Sequence, residues 1–437
     1  MESILIALFL ALVALLGAPL FTIIGAVTLI AFSFTQTDSS IAIVELYRIT
    51  SESVLIAIPL FTFAGYMLAE SQTPKRLINL SRALFGWMPG GLAIVVLVSC
   101  AVFTAFTGAS GVTIVALGGL MYPVLIQEKY PESFSLGLVT TSGSLGLLFP
   151  PSLPLILYAM VASLLSAQSG SFSIVSVNQL FIAGVLPGIL LVAALSLYSI
   201  RKGISAKVPR IPFAWSNVRK AAMAAAWEIP LPFIIIGGIY GGLFTATEAA
   251  AITAFYVLVV EVFVYRDLSL VRDVPRVMRD SMLLVGAIIV IIASALGLTN
   301  YLVIEEVPQK LFQIIQAYIS SKAVFLILLN FFLLIVGMMM DIFSAIIVVV
   351  PLIIPVSRSF GVDPIHLGII FLTNLEIGYL TPPVGLNLFI SSFRFEKSIA
   401  RVTLATLPYI GILLIALLII TYFPELSLVL IQLFGVR

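Results

Sequence analysis

Side chains and backbone groups that could bind a small cation or a carboxylate are concentrated in two stretches of an otherwise apolar chain. Residues 141–155 read TSGSLGLLFPPSLPL, and residues 373–387 read TNLEIGYLTPPVGLN. The proline pair in each stretch must interrupt a helix, because proline lacks a backbone N–H and clashes with the preceding turn. In lipid, such a break is tolerated only where it is buried in protein or lines a polar cavity. Both stretches are therefore candidate binding sites.

The two stretches occupy matching places in an internal repeat. Four pairs of residues are each separated by 232 positions, namely Gly146 and Gly378, Pro150 and Pro382, Pro151 and Pro383, and Pro123 and Pro355. Chance similarity between apolar segments would explain any single match. The order of elements around the matches is also shared, and this favours a duplication.

Composition places these stretches in a membrane protein. The chain has 437 residues, of which 61% are hydrophobic and 10% charged, and its mean hydropathy is +1.21. Soluble domains carry about 25% charged residues. The sequence therefore predicts an all-α polytopic protein in a lipid bilayer. Its basic residues fall in short loops between spans, so the net charge of +2 does not indicate nucleic-acid binding. The lone Cys100 excludes a disulfide framework, and with one histidine no zinc-type site is predicted.

Each repeat is predicted to contain an amphipathic interfacial helix, a re-entrant hairpin, a broken span and a full span. The hairpins follow from paired apolar helices of about 16 residues, which are too short to span with comfort. In the first repeat the four elements cover residues 74–86, 90–126, 131–166 and 179–201. In the second repeat they cover residues 308–319, 322–357, 364–392 and 402–423. The hairpin tips are predicted at residues 107–111 (the first tip) and 337–344 (the second tip).

The remaining segments are predicted to be ordinary spans. A first span at residues 1–34 is kinked at 17–19, and an interfacial turn follows at 41–52. Arg48 of that turn pairs with Glu45 or Glu52, or contacts a partner subunit. Further spans are predicted at residues 53–69, 229–240, 246–265 and 282–302.

Loop charge predicts the orientation of these spans. Arginine and lysine cluster near residues 201–220, 266–279 and 394–401, which marks these loops as cytoplasmic by the positive-inside rule. Residues 167–179 and 237–247 carry no lysine or arginine and are expected outside. The first interfacial helix and hairpin then enter from the inside and the second set from the outside. The repeats are thus predicted to be inverted, a topology that makes alternating access possible.

Six motifs together resemble the large membrane subunit of tripartite ATP-independent periplasmic (TRAP) transporters. They are GWMPGGL at 86–92, FTGASG at 106–111, GLLFPPS at 146–152, FTATEA at 244–249, GMMMD at 337–341 and GYLTPPVGLN at 378–387. The resemblance implies sodium-coupled uptake of an organic acid, of the sialic acid or C4-dicarboxylate type, across the bacterial inner membrane. It implies no cofactor besides Na⁺ as the coupling ion. It also implies a separate small four-helix membrane subunit, a periplasmic substrate-binding protein and an elevator mechanism.

An elevator divides the chain into a moving transport domain and a scaffold. Scaffold spans and the first interfacial helix are expected in residues 1–89, and the first half of the transport domain in 90–166. Further scaffold spans and the second interfacial helix follow in 167–321, and the second half of the transport domain in 322–392. Residues 393–437 are expected to add a final scaffold span and the C-terminus.

Ligands are expected where each tip meets its break, at residues 142–151 (the first break) and 374–383 (the second break). Positive helix N-termini suit a carboxylate, and carbonyls at helix C-termini suit Na⁺. The predicted sodium ligands are Thr107, Gly108, Ser110, Gly146, Gly337, Asp341, Gly378 and Thr381. The predicted substrate contacts are Ser110, Ser144, Pro150, Asn374, Pro382 and Asn387. The alternative for the small and polar residues is close packing between helices.

Acidic residues in apolar segments are functional candidates, because charge is expensive in the membrane. Asp341 is expected to bind a cation or to hold the second tip in shape, and Glu376 to cap a half-helix or neighbour an ion. Glu248 follows Thr245 at the spacing of a capping box. Glu261 is expected to be a solvated or snorkelling charge near Arg266.

Two other classes of function compete with a TRAP permease. One is a single-component carrier, and the other is a membrane protein that does not transport, either a scaffold or an enzyme. A single-component sodium-coupled anion or dicarboxylate carrier of related fold has the same physical requirements and stays open. A non-transporting scaffold would not need two duplicated helix breaks. An intramembrane enzyme would need a nucleophile with its base or a metal constellation, which this sequence lacks. We therefore expect no enzymatic activity.

Overall fold

The computed structural model of the chain describes residues 18–34, 44, 47, 53–168, 175–206, 208, 212–241, 243–319 and 321–435. Regular secondary structure in these residues is entirely helical. Three predicted features fall outside the described residues. They are residues 1–17 of the first span, Glu45, Arg48 and Glu52 of the interfacial turn, and residues 169–174 of an outward loop.

The described residues of the first half of the chain form eight principal helices. They are α1 (Leu20–Phe34), α2 (Ala57–Glu70), α3 (Thr73–Phe85), α4 (Gly91–Thr107), α5 (Ser110–Gln127), α6 (Glu132–Ser142), α7 (Leu153–Gln168) and α8 (Val177–Ser205). A π-helical segment, Ile114–Gly118, lies within α5, and a 3₁₀ turn, Leu145–Leu148, lies between α6 and α7.

Eleven helices follow in the described part of the second half. They are α9 (Trp215–Ala224), α10 (Pro230–Tyr240), α11 (Ala246–Val264), α12 (Asp273–Ile304), α13 (Val307–Tyr318), α14 (Lys322–Met339), α15 (Ile342–Ser359), α16 (Pro364–Gly378), α17 (Leu386–Phe395), α18 (Ile399–Tyr422) and α19 (Glu425–Phe434). Within the described residues, seven helices are long and apolar enough to cross a membrane. The α6–α7 pair, bent by 42°, makes an eighth span.

The predicted order of elements occurs in both halves. Each half has an arm helix (α3 or α13), two helices joined by a short tip, here called a hairpin (α4–α5 or α14–α15), two helices separated by the proline break, here called a broken span (α6–α7 or α16–α17), and a full span (α8 or α18). Helices α5, α14 and α15 are each long and apolar enough to cross a membrane, so the re-entrant course of the hairpins stays a prediction. Proline stands in the first turn of both arm helices, where its missing N–H costs no helical hydrogen bond. The capping box that starts α11 is also confirmed, since Thr245 N donates to Glu248 Oε2 at 2.8 Å.

Two features of the helical pattern differ from the prediction. Helix α12 begins at Asp273 rather than near 282, so Arg276 and Arg279 lie on a helix and not in a loop. The first turns of α12 are polar. A prediction based on apolar length therefore places the start of the helix only where its apolar residues begin. The short helices α9 and α19 were not predicted at all. Helix α19 packs on α16, where His366 Nδ1 lies 3.2 Å from Ser427 Oγ.

Both full spans pack against the broken spans. A Cβ atom at Gly137 in α6 would lie 2.1 Å from Ala405 O in α18, so the two backbones are in direct contact. Tyr409 Oη of α18 also donates to Phe134 O at 2.8 Å. Likewise a Cβ atom at Gly184 in α8 would lie 2.1 Å from Leu148 O. By contrast, α2 packs against α11 and α12, and α12 packs against α1.

The first arm helix is fixed at its N-terminal end by a buried charge cluster, the Arg76 cluster. Arg76 pairs with Glu228 through Nε, with Asp267 Oδ2 through Nη1 at 2.8 Å, and with Glu261 Oε2 through Nη2 at 3.2 Å. Its guanidinium carbon lies 3.8 Å from the centre of the Tyr265 ring. Burial alone would lower the pKa of Arg76, but Glu228 and the other two carboxylates raise it above its usual value.

The prediction that Glu261 is a solvated charge is wrong. Its side chain has no exposed surface, and its Oε1 accepts a hydrogen bond from Thr73 Oγ1 at 3.0 Å. Glu261 lies in the π-helical segment that ends α11, far from Thr73 and Arg76 in sequence. A local reading could only pair it with the nearby Arg266.

The two arm helices lie at opposite ends of α12. Arg276 near the start of α12 pairs with Glu70 Oε2 at 2.9 Å, and Glu70 ends α2 just before the first arm begins. Helix α12 has 32 residues and is about 48 Å long. The second arm, α13, begins three residues after α12 ends. The first arm contacts α9, so it lies on the side of the basic segment near 201–220.

Candidate ion and substrate site

The first tip contacts the first break, as predicted. Helix α4 ends at Thr107 and is capped by Gly108, whose φ of +65° is a left-handed conformation that glycine adopts without steric cost. A Cβ atom there would lie 2.6 Å from the side chain of Leu153, just beyond the break. Thr104 Oγ1 donates to Gly143 O at 2.9 Å. Gly146 has no room for a side chain, since its Cβ would lie 2.3 Å from Ala101 O.

The second tip meets the second break in the same way. A Cβ atom at Gly378 would lie 2.4 Å from the carbonyl carbon of Gly337, so these two backbones touch. Ile342 N donates to Tyr379 Oη at 2.6 Å, and Gly385 N donates to Met338 O at 3.2 Å. Close packing therefore accounts for both glycines, and their backbone oxygens remain candidate ligands.

The two halves also meet each other near the breaks. Thr140 Oγ1 on α6 donates to Ser391 Oγ on α17 at 2.9 Å. Asn387 Nδ2 donates to Thr140 O at 3.4 Å. A Cβ atom at Gly111 of the first hairpin would lie 2.7 Å from Ile390. Helix α17 thus brings the second break against the first half of the molecule.

Seven side-chain oxygens at or beside the tips and breaks are buried without a hydrogen-bond partner. They are Thr107 Oγ1, Thr141 Oγ1, Ser152 Oγ, Asn374 Oδ1, both carboxylate oxygens of Glu376, and Asn387 Oδ1. Buried polar groups are normally paired, so unpaired oxygens at these positions suit a bound ligand. Thr107, Asn374 and Asn387 were predicted as site residues.

Thr141, Ser152 and Glu376 were not predicted as ligands. Thr141 and Ser152 flank the first break, so the broken stretch itself carried the signal for them. Glu376 lies two residues before Gly378 and is only 1% exposed. An ionised carboxylate buried without a partner is costly. Glu376 therefore joins the candidate site residues.

Three other predicted ligands, Ser144, Thr381 and Asp341, have local partners. Ser144 Oγ donates to Thr141 O at 3.4 Å, and Thr381 Oγ1 donates to Ile377 O at 2.9 Å. Ser110 is buried at the start of α5. Asp341 caps α15, because its Oδ1 accepts from the backbone N–H groups of Phe343 and Ser344, both at 3.0 Å. Two roles were predicted for Asp341, and these hydrogen bonds show the second of them, which is to hold the tip in shape.

The two proline pairs lie in different surroundings. Pro150 is buried and lines an apolar cavity of about 410 Å³ between α4, α8 and α10. That cavity has no charged side chain in its walls, so it offers a carboxylate no donor. Pro382 and the two residues after it are exposed. Both prolines stay predictions as substrate contacts.

Comparison with known proteins decides the family. Residues 4–426 match the family model described as "Tripartite ATP-independent periplasmic transporter, DctM component". The chain belongs to this family. TRAP large permeases are components of secondary transporters and not enzymes, and in general they work with a periplasmic binding protein and a small membrane subunit.

Relatives with assigned substrates cover most of this TRAP permease. The C4-dicarboxylate TRAP transporter large permease protein DctM of Rhodobacter capsulatus is 37% identical, over 96% of this chain and 97% of that protein. The protein of the same name from Vibrio cholerae is 34% identical, over 94% of each chain. The isethionate TRAP transporter permease protein DctMQ of Oleidesulfovibrio alaskensis is 35% identical, over 86% of this chain and 57% of that protein.

A solved transporter structure has a fold similar to that of this chain. The YdaH transporter of Alcanivorax borkumensis superimposes with a TM-score of 0.62 at 15% identity, covering 87% of this chain and 86% of that chain. At this identity the likeness concerns the fold alone. The chain is thus a TRAP permease by its sequence and a multi-pass helical membrane protein by its architecture.

Proposed function

We propose that this TRAP permease carries a C4-dicarboxylate together with Na⁺ across the bacterial inner membrane. The observation that carries the proposal is the pair of tip–break junctions, with buried oxygens at both that have no protein partner. The relatives that are named for C4-dicarboxylates favour this class of substrate over sialic acid. Relatives named for isethionate and ectoine define the competing substrates for a transport assay.

Neutral oxygens and helix ends supply the chemistry. Hydroxyl and carbonyl oxygens of the first junction, from Thr107 to Gly146, form one sodium site, and those of the second junction, from Gly337 to Thr381, form another. The N-termini of α7 and α17 point partial positive charge at the breaks, which suits a carboxylate. No lysine or arginine lies in either tip or break, so backbone dipoles, amides and Na⁺ must balance the substrate charge.

An elevator is the motion that these contacts suit. The hairpins and broken spans pack on one another, and α8 and α18 pack on the broken spans. We therefore extend the moving domain to both full spans, which the sequence assigned to the scaffold. Helices α1, α2, α11 and α12 form the scaffold, and the arm helices connect the two bodies. The position of the arms at opposite ends of α12 supports inverted repeats.

Transport should require a binding protein. Liposomes that contain the permease and its small subunit should take up negligible free succinate under an inward sodium gradient. Addition of the cognate binding protein loaded with succinate should start uptake, and removal of Na⁺ should stop it. Brisk uptake without the binding protein would instead support a single-component carrier. Uptake that does not depend on the sodium gradient would contradict the proposal that Na⁺ is the coupling ion.

Loss of a hydroxyl beside each junction should weaken sodium binding. Ser110→Ala and Thr381→Ala each remove a neutral oxygen, and an unsatisfied site costs about 1–3 kcal/mol. The sodium concentration for half-maximal uptake should rise about 5- to 150-fold, while assembly with the small subunit is unchanged.

Thr28→Ala is the matched control for Thr381→Ala. Thr28 lies on α1, and its hydroxyl donates to the carbonyl of Ile24 at 2.8 Å, just as Thr381 donates to a carbonyl four residues earlier. Its sodium curve should equal that of the parent. Parental curves for both site variants would move the ion sites elsewhere, with Asp341 and Glu376 the next candidates.

A further inference from the structure

A polar cavity lies between the first arm helix and α9, the helix that the sequence did not predict. Its volume is about 440 Å³. The lining residues are Asn79, Arg82 and Ala83 of α3 with Asn217, Lys220, Ala221 and Ala224 of α9. We propose that this cavity binds the phosphate of an anionic phospholipid headgroup.

The side chains in the cavity wall suit a phosphate. Arg82 offers a planar fork of N–H donors, and Lys220 adds a compact positive charge. The amides of Asn79 and Asn217 can donate further hydrogen bonds. A competing carboxylate, Glu128 Oε1, lies 3.7 Å from Arg82 Nη2, but both side chains of this pair are at least one-third exposed. Such a pair contributes little, and it leaves the other donors of Arg82 available.

The surroundings favour a lipid over free phosphate. Helix α9 exposes Trp215 and Met223, which are 72% and 67% accessible. The ring of Trp87, which follows α3, meets Phe213 before α9 edge to face, with centroids 6.4 Å apart. Amphipathic aromatic side chains of this kind settle at the headgroup level of a bilayer. The cavity therefore lies at the depth where lipid phosphates are found.

An apolar cavity on the other face of the arm helix extends the same picture. Leu77, Leu80 and Leu84 line this second cavity of about 290 Å³ with residues of α4 and α10. The arm thus carries leucines on the face toward α4 and α10 and Arg82 on the opposite face, which is the amphipathic pattern of an interfacial helix. The segment near residues 201–220 is basic and is predicted to be cytoplasmic. Anionic lipids attract such segments.

A bound headgroup would tie the C-terminal half of the arm helix to α9. The N-terminal end of the arm is already held by the Arg76 cluster, and its C-terminal end leads into the first hairpin. The lipid contact would therefore act on the connection between the scaffold and the first hairpin. It does not depend on the identity of the transported substrate.

Lipid retention by the purified permease–small subunit complex tests the proposal. Native mass spectrometry would compare retained phosphatidylglycerol and phosphatidylcholine from an equimolar mixture. The parent should retain phosphatidylglycerol preferentially, and Arg82→Gln/Lys220→Gln should lower this retention at least about tenfold, because both cations that hold the phosphate are lost. Inorganic phosphate at millimolar concentration should not displace the lipid.

Two further variants keep the result decisive. Arg201→Gln/Arg219→Gln removes the same charge from exposed positions outside the cavity, and it should retain the lipid as the parent does. Ala221→Trp keeps every charge but fills the cavity, and it should lose the lipid. Equal loss in the surface control would reduce the effect to general charge. Retention by both cavity variants, or displacement by inorganic phosphate, would overturn the lipid site.

Discussion

A single methyl group at position 378 should nearly stop transport. In Gly378→Ala the new Cβ would lie 2.4 Å from the carbonyl carbon and 2.6 Å from the Cα atom of Gly337. Both are backbone atoms and cannot rotate away, so the second tip must move off the second break. Overpacking of this kind costs about 1–3 kcal/mol. Misplacement of a site by about 1 Å can lower a rate roughly a hundredfold.

The measurement is initial uptake by the reconstituted three-component system, with thermal unfolding measured in parallel. Gly378→Ala should lower uptake by about ten- to a hundredfold while the complex still assembles. Gly411→Ala is the matched control, because Gly411 lies in helix α18 and a Cβ atom there meets nothing within 4 Å. Its uptake should be unchanged and its stability equal or slightly higher. Parental uptake by Gly378→Ala would show that transport does not need this close contact.

Local sequence was sufficient for the helices and breaks because their signals are local. Apolar length, the proline pairs and small residues at the tips predicted the helices of both hairpins, both proline breaks and both arm helices. The re-entrant course of the hairpins stays a prediction. The predicted start of helix α12 was wrong because polar residues can extend a helix beyond the membrane. Helix α9 has no apolar run, and its side chains face α3 and the interface, so hydropathy gave no sign of it.

The candidate site was predicted only in outline. The repeat placed the tips against the breaks, and Thr107, Asn374 and Asn387 do have buried oxygens without partners. Which oxygens remain unpaired depends on helix rotation and on neighbours distant in sequence. The hydroxyls of Thr381 and Ser144 donate to carbonyls of the helix that precedes each of them, whereas those of Thr141 and Ser152 have no partner. The capping bonds of Asp341 likewise depend on the exact residue at which α15 begins.

Loss of the Arg76 guanidinium should be the most destabilising substitution that leaves the ligand site untouched. Arg76→Ala would leave Glu228 and Glu261 buried, with side-chain exposures of 4% and 0%, and without their cation. Breaking a buried pair on one side costs about 3–5 kcal/mol. We expect this loss in the free energy of unfolding, measured by chemical denaturation in micelles. Arg76→Lys should be intermediate, because an ammonium cannot reproduce the fork that reaches three carboxylates.

An exposed pair and a double variant separate the cluster from general charge effects. Arg276→Ala removes a pair with Glu70 in which both side chains are about half exposed, and it should cost less than about 1 kcal/mol. In a Glu261→Gln background, Arg76→Ala should be less costly, since one of the stranded charges is already gone. A coupling energy of about 0.5–3 kcal/mol is expected for groups in contact. Strict additivity would mean that the cluster does not hold the arm through its charges.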